Sequence, residues 1–537
     1  MEKEKTQVPL QAAMADSDDT SFSTGEVLNA SGHKQELQRN FSLLNICGIG
    51  ICTGNVWAAL GGSIAIALYN GGPPGVIYGF IAINLFYWMI ASCIADMASA
   101  IPSSSGVYQW AAVVGGKYGR PLGYFAGWWN FFGWIFNTAS ISSILANQVI
   151  SMYGLFHEGY EFERWHVFIA YLIITWLSCA VVLFANRALP ALTNVGLFFI
   201  LAGVFVTILV CVIMPSRLVG GQGHASSSFV WKEWDNQTGW SSDGFVFCAG
   251  MLNGAFAVGT PDCVSHMAEE LPEPRRNIPR AILAQYVVGF ITAFCYVIAI
   301  FYSVNDLASL LDNPWPFPLA ELYRQATGTR AGSLGLLIVI FLPTISTNIG
   351  GYITAGRMLW TLGRDRATPF SNWTGHISPR FENPFNATIV CGVINTILGL
   401  IYVGNSTAFS AFIGSFIILS SLSYIAFILP NLITRRRYIT PGPFSMPDYI
   451  YYPVATLASS YIAVWVVIYC FPYAVPFDTT SMNYSCVIVG GMTALVAAWW
   501  FVIKDRGYVG PVGAVEAAAQ KMASGHVVAV DKVPETV

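Results

Sequence analysis

Charge is the first thing this sequence lacks. Only 10% of its 537 residues are Asp, Glu, Lys or Arg, where a soluble domain carries roughly a quarter. So few charges cannot clothe a chain of this length in water. The net charge is −3, so there is no polycationic surface, and nucleic acid is excluded as a partner. Metal-type cysteine spacing is also missing. The 11 cysteines stand singly in apolar runs with no CxxC, so they read as small core residues and imply neither a metal nor a cofactor. A Cys470–Cys486 bridge on the outer side has only proximity in sequence to support it. No nucleophile–base pair appears, and the chain does not read as an enzyme. Residues 1–40 have no apolar core. They read as a disordered cytosolic tail, not a signal peptide, and residues 506–537 as a second polar tail.

What the chain has instead is apolar sequence, 55% of the total, gathered into runs near the ~20 residues that span a bilayer. Twelve are read, at 42–69, 74–101, 120–153, 166–185, 190–214, 244–270, 280–304, 332–362, 385–403, 407–433, 450–472 and 484–503. The expectation is an all-α membrane protein with a transmembrane domain over 41–505 and the lipid bilayer as its surroundings. Twenty-one of the 26 lysines and arginines fall on one side if both termini are cytosolic; the outer five are Arg164, Arg217, Lys232, Arg324 and Arg330. That asymmetry fits the positive-inside rule, and Arg275–Arg276 and Arg435–Arg437 read as orientation signals. The sequon at Asn236 falls in the long outer loop after the fifth span, where glycosylation is expected.

Two spans are defective as helices. The sixth loses regularity through Gly250, Gly254 and Gly259, then Pro261, and at once presents a carboxylate, Asp262. The first is interrupted by Gly48, Gly50 and Gly54, then Gly61–Gly62. Irregular backbone at membrane depth is tolerated only inside protein or along a cavity, and a charge there faces the same places. Five spans separate the two starts. Because five is odd, the second group of five enters from the opposite face. Paired broken helices in inverted repeats point to a transporter site. Repeat one is then 41–214, repeat two 243–434, and 449–504 holds two added helices. Gly48, Gly50, Gly54, Gly254 and Gly259 are the expected unwound positions. The plain alternative is a kinked glycine-rich helix with one satisfied aspartate.

The chemistry on offer is aromatic and acidic. The third span carries Trp128, Trp129, Phe131, Phe132, Trp134 and Phe136; Trp57, Phe256 and Tyr352 come from the first, sixth and eighth. Aromatic faces attract cations, above all quaternary ammonium groups that cannot donate strong hydrogen bonds. Membrane spans also carry such residues as packing and interfacial belts. Trp128 and Trp129, near the cytosolic end, read that way; Trp134 near mid-span is open between the two. Asp262, His266 and Glu269 are spaced to share one helix face. They are candidates for attracting a cation, carrying protons, or closing an inner gate with Arg39 or Arg357, against the plain reading of satisfied polar groups. Asp96 takes that plain reading. The fifth span holds no lysine, so no tethered charge stands in for sodium. Thr344, Ser346 and Thr347 of the eighth are a weak sodium candidate.

The run PSSSGVYQWAA (Pro102–Ala112) resembles the P-x-x-GG-x-Y-x-W element after the second span of the amino acid–polyamine–organocation superfamily, with Ser105 in place of one glycine. HMAEELPEPRRNIPRAI (His266–Ile282) resembles that superfamily's element after the sixth span. The resemblance covers nearly all of 41–505 and is strongest to the fungal branch carrying choline, GABA and other amino acids, through NGAFAVGTPDCVSHM, GFITAFCYVIAIFYSVNDL and MNYSCVIVGG. It implies the five-plus-five inverted repeat (LeuT-like) plus two helices, with substrate between the first, third, sixth and eighth spans. By position it puts the gating aromatic on Phe256, where relatives often have Trp, and the acidic position on Asp262. The third-span cavity face falls on Gly133, Trp134 and Thr138, and the unwound first-span stretch on Ile49–Asn55. The candidate substrate-binding set is thus Trp134, Phe256, Asp262, Asn55, Trp57, Thr138 and Tyr352. The expectation is a plasma-membrane transporter importing choline, driven at least partly by membrane potential. The alternatives are a proton-coupled permease for GABA or another amino acid, and a nutrient sensor built on the same fold.

Overall fold

The computed structural model describes residues 26–28, 42–157, 159–217, 223–304, 306–311, 315–404, 407–479, 481–508, 510–512 and 527–529. Within the tails these are Glu26–Leu28 and Val527–Ala529, which pair as a parallel ladder; Arg39 lies outside the described residues. Among the described residues the elements between these strands are all helices, joined by turns and loops. Ten helices are long and apolar enough to cross a membrane. Two others occupy the remaining expected spans: Gly119–Gly154 and the shorter Asp243–Val258.

Boundaries follow local chemistry. Ser42 caps the first span by accepting from the Asn45 N–H while the Asn45 side chain accepts from the Ser42 N–H, which satisfies two otherwise orphaned donors. Ser242 and Thr329 cap the sixth and eighth spans with one bond each, accepting from the Phe245 and Gly332 N–H groups. Prolines open the second and seventh spans, Gly72–Ala100 and Pro274–Tyr302, where a missing N–H costs nothing.

The helices divide into an inner and an outer set. The third span, Gly119–Gly154, is buried along nearly its whole length and packs on the tenth, Ala408–Ile433, and the eighth, Arg330–Arg364. The hydrophobic windows of the first and tenth are 83% buried, while the twelfth, Ser485–Ile503, is 11% buried. Phe198 and Phe205 on the fifth and Leu495 and Phe501 on the twelfth are exposed, as expected of faces that meet lipid.

The breaks are narrower than the glycine pattern predicts. The first span runs Leu43–Thr53, pauses at Gly54–Asn55, and resumes as Val56–Gly62. Gly48 and Gly50 stay helical. They serve close packing instead: a Cβ on Gly48 would lie 3.0 Å from Thr193, and one on Gly50 3.2 Å from Val264. Gly254 also remains helical, and a Cβ there would meet Ile83 at 2.7 Å. Small residues let membrane helices approach closely without unwinding. Only Gly54 and Gly259 sit at real interruptions. In the sixth span the helix ends at Val258, and a tight 3-10 turn begins at Ser265.

Candidate functional site

The irregular stretch of the sixth span is held by side chains of its neighbours. Tyr286 of the seventh span donates to the Val258 carbonyl at 2.7 Å, and Gln285 Nε2 donates to the Thr260 carbonyl at 3.1 Å. Backbone groups freed by unwinding are thereby satisfied in protein, as a low-dielectric interior demands. At the centre stands Asp262, fully buried. Its Oδ2 accepts from Asn130 Nδ2 at 2.7 Å and from Trp134 Nε1 at 3.2 Å, and lies 3.1 Å from His266 Nε2. Its Oδ1 accepts from the Tyr424 hydroxyl at 2.7 Å. One carboxylate therefore joins the third, sixth and tenth spans.

Trp134 is fixed by that bond, and its ring continues into an aromatic cluster. Phe416 of the tenth span lies 6.3 Å from the Trp134 ring and 6.0 Å from Phe256, so Phe416 bridges the two expected cage residues. Thr138, one turn along, accepts from Asn395 Nδ2 at 2.8 Å, and the same amide nitrogen donates to the Tyr352 hydroxyl at 2.9 Å. Thr138 and Tyr352 are thus brought together through the ninth span.

The first span contributes differently. Asn55, 2% exposed, sits at its break, and neither side-chain polar atom has a hydrogen-bond partner among the described residues. Trp57 is fully buried with an unpartnered Nε1 and packs edge-on against Tyr296 at 5.2 Å. The two broken spans are tied by Asn253 Nδ2, which donates to Leu60 O and, at 2.7 Å, to Ser63 Oγ. Of the sodium candidates, Thr347 Oγ1 donates to the Cys52 carbonyl at 2.9 Å, and Thr344 Oγ1 to Ile340 O.

At the cytosolic-reading end the expected single acidic face splits. Asp262 and His266 meet, but the intervening backbone is turn and 3-10 helix, whose period of three residues does not carry Glu269 along with them. Glu269 pairs with Arg364 at 3.3 Å, and Arg357 pairs with Glu270 at 2.5 Å. The Arg357 contact expected for this acidic run is therefore made one residue later. Asp96 takes its plain role, paired with Arg436 at 2.8 Å. Arg436 also donates to the Met446 carbonyl and stacks on Tyr451. Arg275 donates to the Ser99 and Ala100 carbonyls, closing the end of the second span. In the loop after the fifth span, Asn236 Nδ2 donates to Trp240 O and Asp243 Oδ1. Trp128 lies apart from the cluster: it lines an apolar cavity of about 280 Å³ with Leu495 and Trp499.

The residues that sequence reasoning missed are Asn130, Tyr424, Phe416 and Asn395. Each is an ordinary residue in an apolar run. The one available signal is that a buried carboxylate requires several donors, and this says that partners exist without saying where.

Comparison with known proteins agrees with this architecture. A model of the amino acid permease family matches residues 41–492. The chain is 31% identical to a protein of Saccharomyces cerevisiae named choline transporter, over 88% of this chain and 82% of that one. It is 26% identical to that yeast's 7-keto 8-aminopelargonic acid transporter, over 88% and 94%. To its GABA-specific permease it is 24% identical, over 91% and 86%. With a family model along most of its length and two spans interrupted where their helices should be whole, this multi-pass membrane transporter belongs to the amino acid permease family.

Proposed function

We propose that this transporter imports choline across the plasma membrane by alternating access. The carrying observation is the indole of Trp134, bonded through Nε1 to the buried carboxylate of Asp262 and clustered with Phe416 and Phe256. A trimethylammonium group offers no strong donor. It is bound by aromatic faces, with negative charge behind them, and this cluster has both. Asp262 is engaged by four side chains, so in this reading it acts on the cation through the indole it orients. The yeast protein named choline transporter supports the same substrate. The reading takes both termini as cytosolic and the twelve spans as two inverted groups of five plus two.

A fixed positive charge also supplies a driving force. An interior at −100 mV favours entry by about 2.3 kcal/mol per charge, enough for roughly fifty-fold accumulation. Uptake into proteoliposomes should follow an imposed potassium-diffusion potential. Radiolabelled choline uptake in a transport-deficient host, competed with GABA, betaine and ethanolamine, tests the substrate; strong competition by GABA with weak competition by ethanolamine would reverse the assignment.

One observation favours the second reading, a GABA or amino acid permease. The Asn55 amide is buried at a break with both polar atoms unpartnered, and a zwitterion brings a carboxylate that needs such donors.

A further inference from the structure

Of the ten long apolar helices, the twelfth span is the least buried, and a few side-chain bonds tether it. Tyr124 of the third span donates to the Val496 carbonyl at 3.1 Å, and Trp129 Nε1 donates to Thr493 Oγ1 at 3.0 Å. On the other flank, Trp499 Nε1 donates to the Ala367 carbonyl, in the loop after the eighth span, at 3.0 Å. The apolar cavity of about 280 Å³ lies among these tethered elements. Trp128 and Val496 line it and are buried, while Leu495, Ala498, Val502 and Pro369 line it and are exposed. It is therefore a cleft open to the surface of a lipid-facing span.

The lining decides what fills this cleft. An apolar cavity stays dry, so beside a bilayer its filling is hydrocarbon. Hydrocarbon alone gives no preference among lipids, because their tails are as apolar as the side chains they meet. Any preference comes from the group the tail is joined to.

The mouth of the cleft is cationic. The twelfth span ends at Ile503, one residue past Val502, and Lys504 and Arg506 follow. Arg366 stands three residues before Pro369. Its guanidinium lies 3.5 Å from where a Cβ on Gly507 would be, so the two segments bring their charges together. The Lys504 ammonium lies 5.2 Å from the Phe501 ring centre, and Arg366 and Arg506 are exposed. Among the described residues none of these three cations is paired with a carboxylate. The acids of the same segments are Asp505, which is exposed, and Asp365, which is buried, so positive charge is in excess at the accessible rim. Arg120 serves another purpose. It donates to the Lys504 and Tyr508 carbonyls and lies over the Trp500 and Tyr508 rings, which fixes the segment that carries the rim.

We propose that this cleft binds an anionic glycerophospholipid. One acyl chain lies between Trp128 and the twelfth span, and the phosphate sits among Arg366, Lys504 and Arg506. Arginine forks match phosphate oxygens, and basic pockets at the cytosolic ends of spans hold anionic head groups. So placed, the lipid is a further tie between the twelfth span and the loop after the eighth. The choice of leaflet rests on the proposed orientation; the site does not depend on which substrate is carried.

The test reconstitutes the full-length protein in nanodiscs holding phosphatidylserine and phosphatidylethanolamine with identical acyl chains, and cholesterol, in equal amounts. Native mass spectrometry then counts the lipids retained on release. The wild-type protein should keep one phosphatidylserine, favoured over phosphatidylethanolamine by roughly ten-fold or more, and the preference should fade as salt is raised beforehand. Lys504→Gln should weaken phosphatidylserine retention roughly five-fold. Ala498→Trp, which fills the cleft, should abolish retention of both phospholipids. Equal retention of the two by the wild-type protein, or a preference indifferent to salt, overturns the head-group assignment. Retention of the sterol instead overturns the occupant, and phosphatidylserine retention unchanged in both variants overturns the site. The wild-type arms decide the matter even where a variant fails to fold.

Discussion

The two broken spans solve the same problem in opposite ways. In the first, the interruption is two residues long, Gly54–Asn55, and the polar side chain there is left without partners. In the sixth, helix gives way from Gly259 to Val264, and the carboxylate within it is engaged from four sides. A buried polar group without a partner costs stability, and a satisfied one rigidifies its surroundings. The sixth break is therefore a fixed joint that positions Trp134, while the first leaves the Asn55 amide unpartnered, which in the proposed function is where substrate is met.

The largest effect expected from disturbing this contrast is at Asp262. Asp262→Asn keeps the size and removes a carboxylate that four side chains contact, and leaving a buried donor unpaired costs on the order of 1–3 kcal/mol. Choline uptake should fall more than surface expression does, alongside a lowered unfolding temperature. Normal uptake by the asparagine variant would reduce the sixth break to a structural kink. Next come Trp134→Ala and Phe256→Ala. A desolvated cation–π contact is worth about 2 kcal/mol, or roughly thirty-fold in affinity. Choline-binding isotherms at matched expression measure it, and near-normal affinity in both variants removes these rings from the site. Asn55→Ala should separate function from folding: it deletes unpartnered polar atoms, so thermal stability should hold or rise, while substrate binding should weaken roughly ten-fold, about 1.4 kcal/mol. A variant that loses stability and keeps binding would show that the amide is structural. The smallest change is Phe256→Trp, which should hold or tighten choline affinity by less than ten-fold, since an indole face binds cations better than a phenyl.

Much of this was legible in the sequence because membrane spans need long apolar runs. The expected 166–185 is the observed Arg164–Phe184, and 407–433 is Ala408–Ile433. The Asp262–His266 contact was legible from a spacing of four. The unwound glycines were over-read: Gly48, Gly50 and Gly254 are small for close contact, and sequence cannot separate that use from unwinding, because both need the missing Cβ. The partners of Asp262 were illegible for another reason. Asn130 and Tyr424 lie 132 and 162 residues from it, and only the packing of third and tenth spans on the sixth selects them. The acidic end shows a smaller failure of the same kind: Glu269 and Glu270 are neighbours, and a local change of helical period decided which of them Arg357 receives.

In the proposed orientation two arginines have two successive occupations. Under the proposed orientation, Arg275 and Arg436 belong to the cationic loops that hold the nascent chain on the cytosolic face while its spans are being inserted. In the finished protein Arg436 is embedded against Asp96 with its side chain 11% exposed, and Arg275 is spent on the last carbonyls of the second span. The charge that steers biogenesis is later consumed as mortar. Neutralising either residue thus acts at two moments in the protein's life, and an inverted chain and a loosened one would both be recorded as lost activity. Lysine at these positions separates them: it preserves the steering charge and removes the forked guanidinium geometry, so a defect in Arg436→Lys is a defect of the finished protein alone.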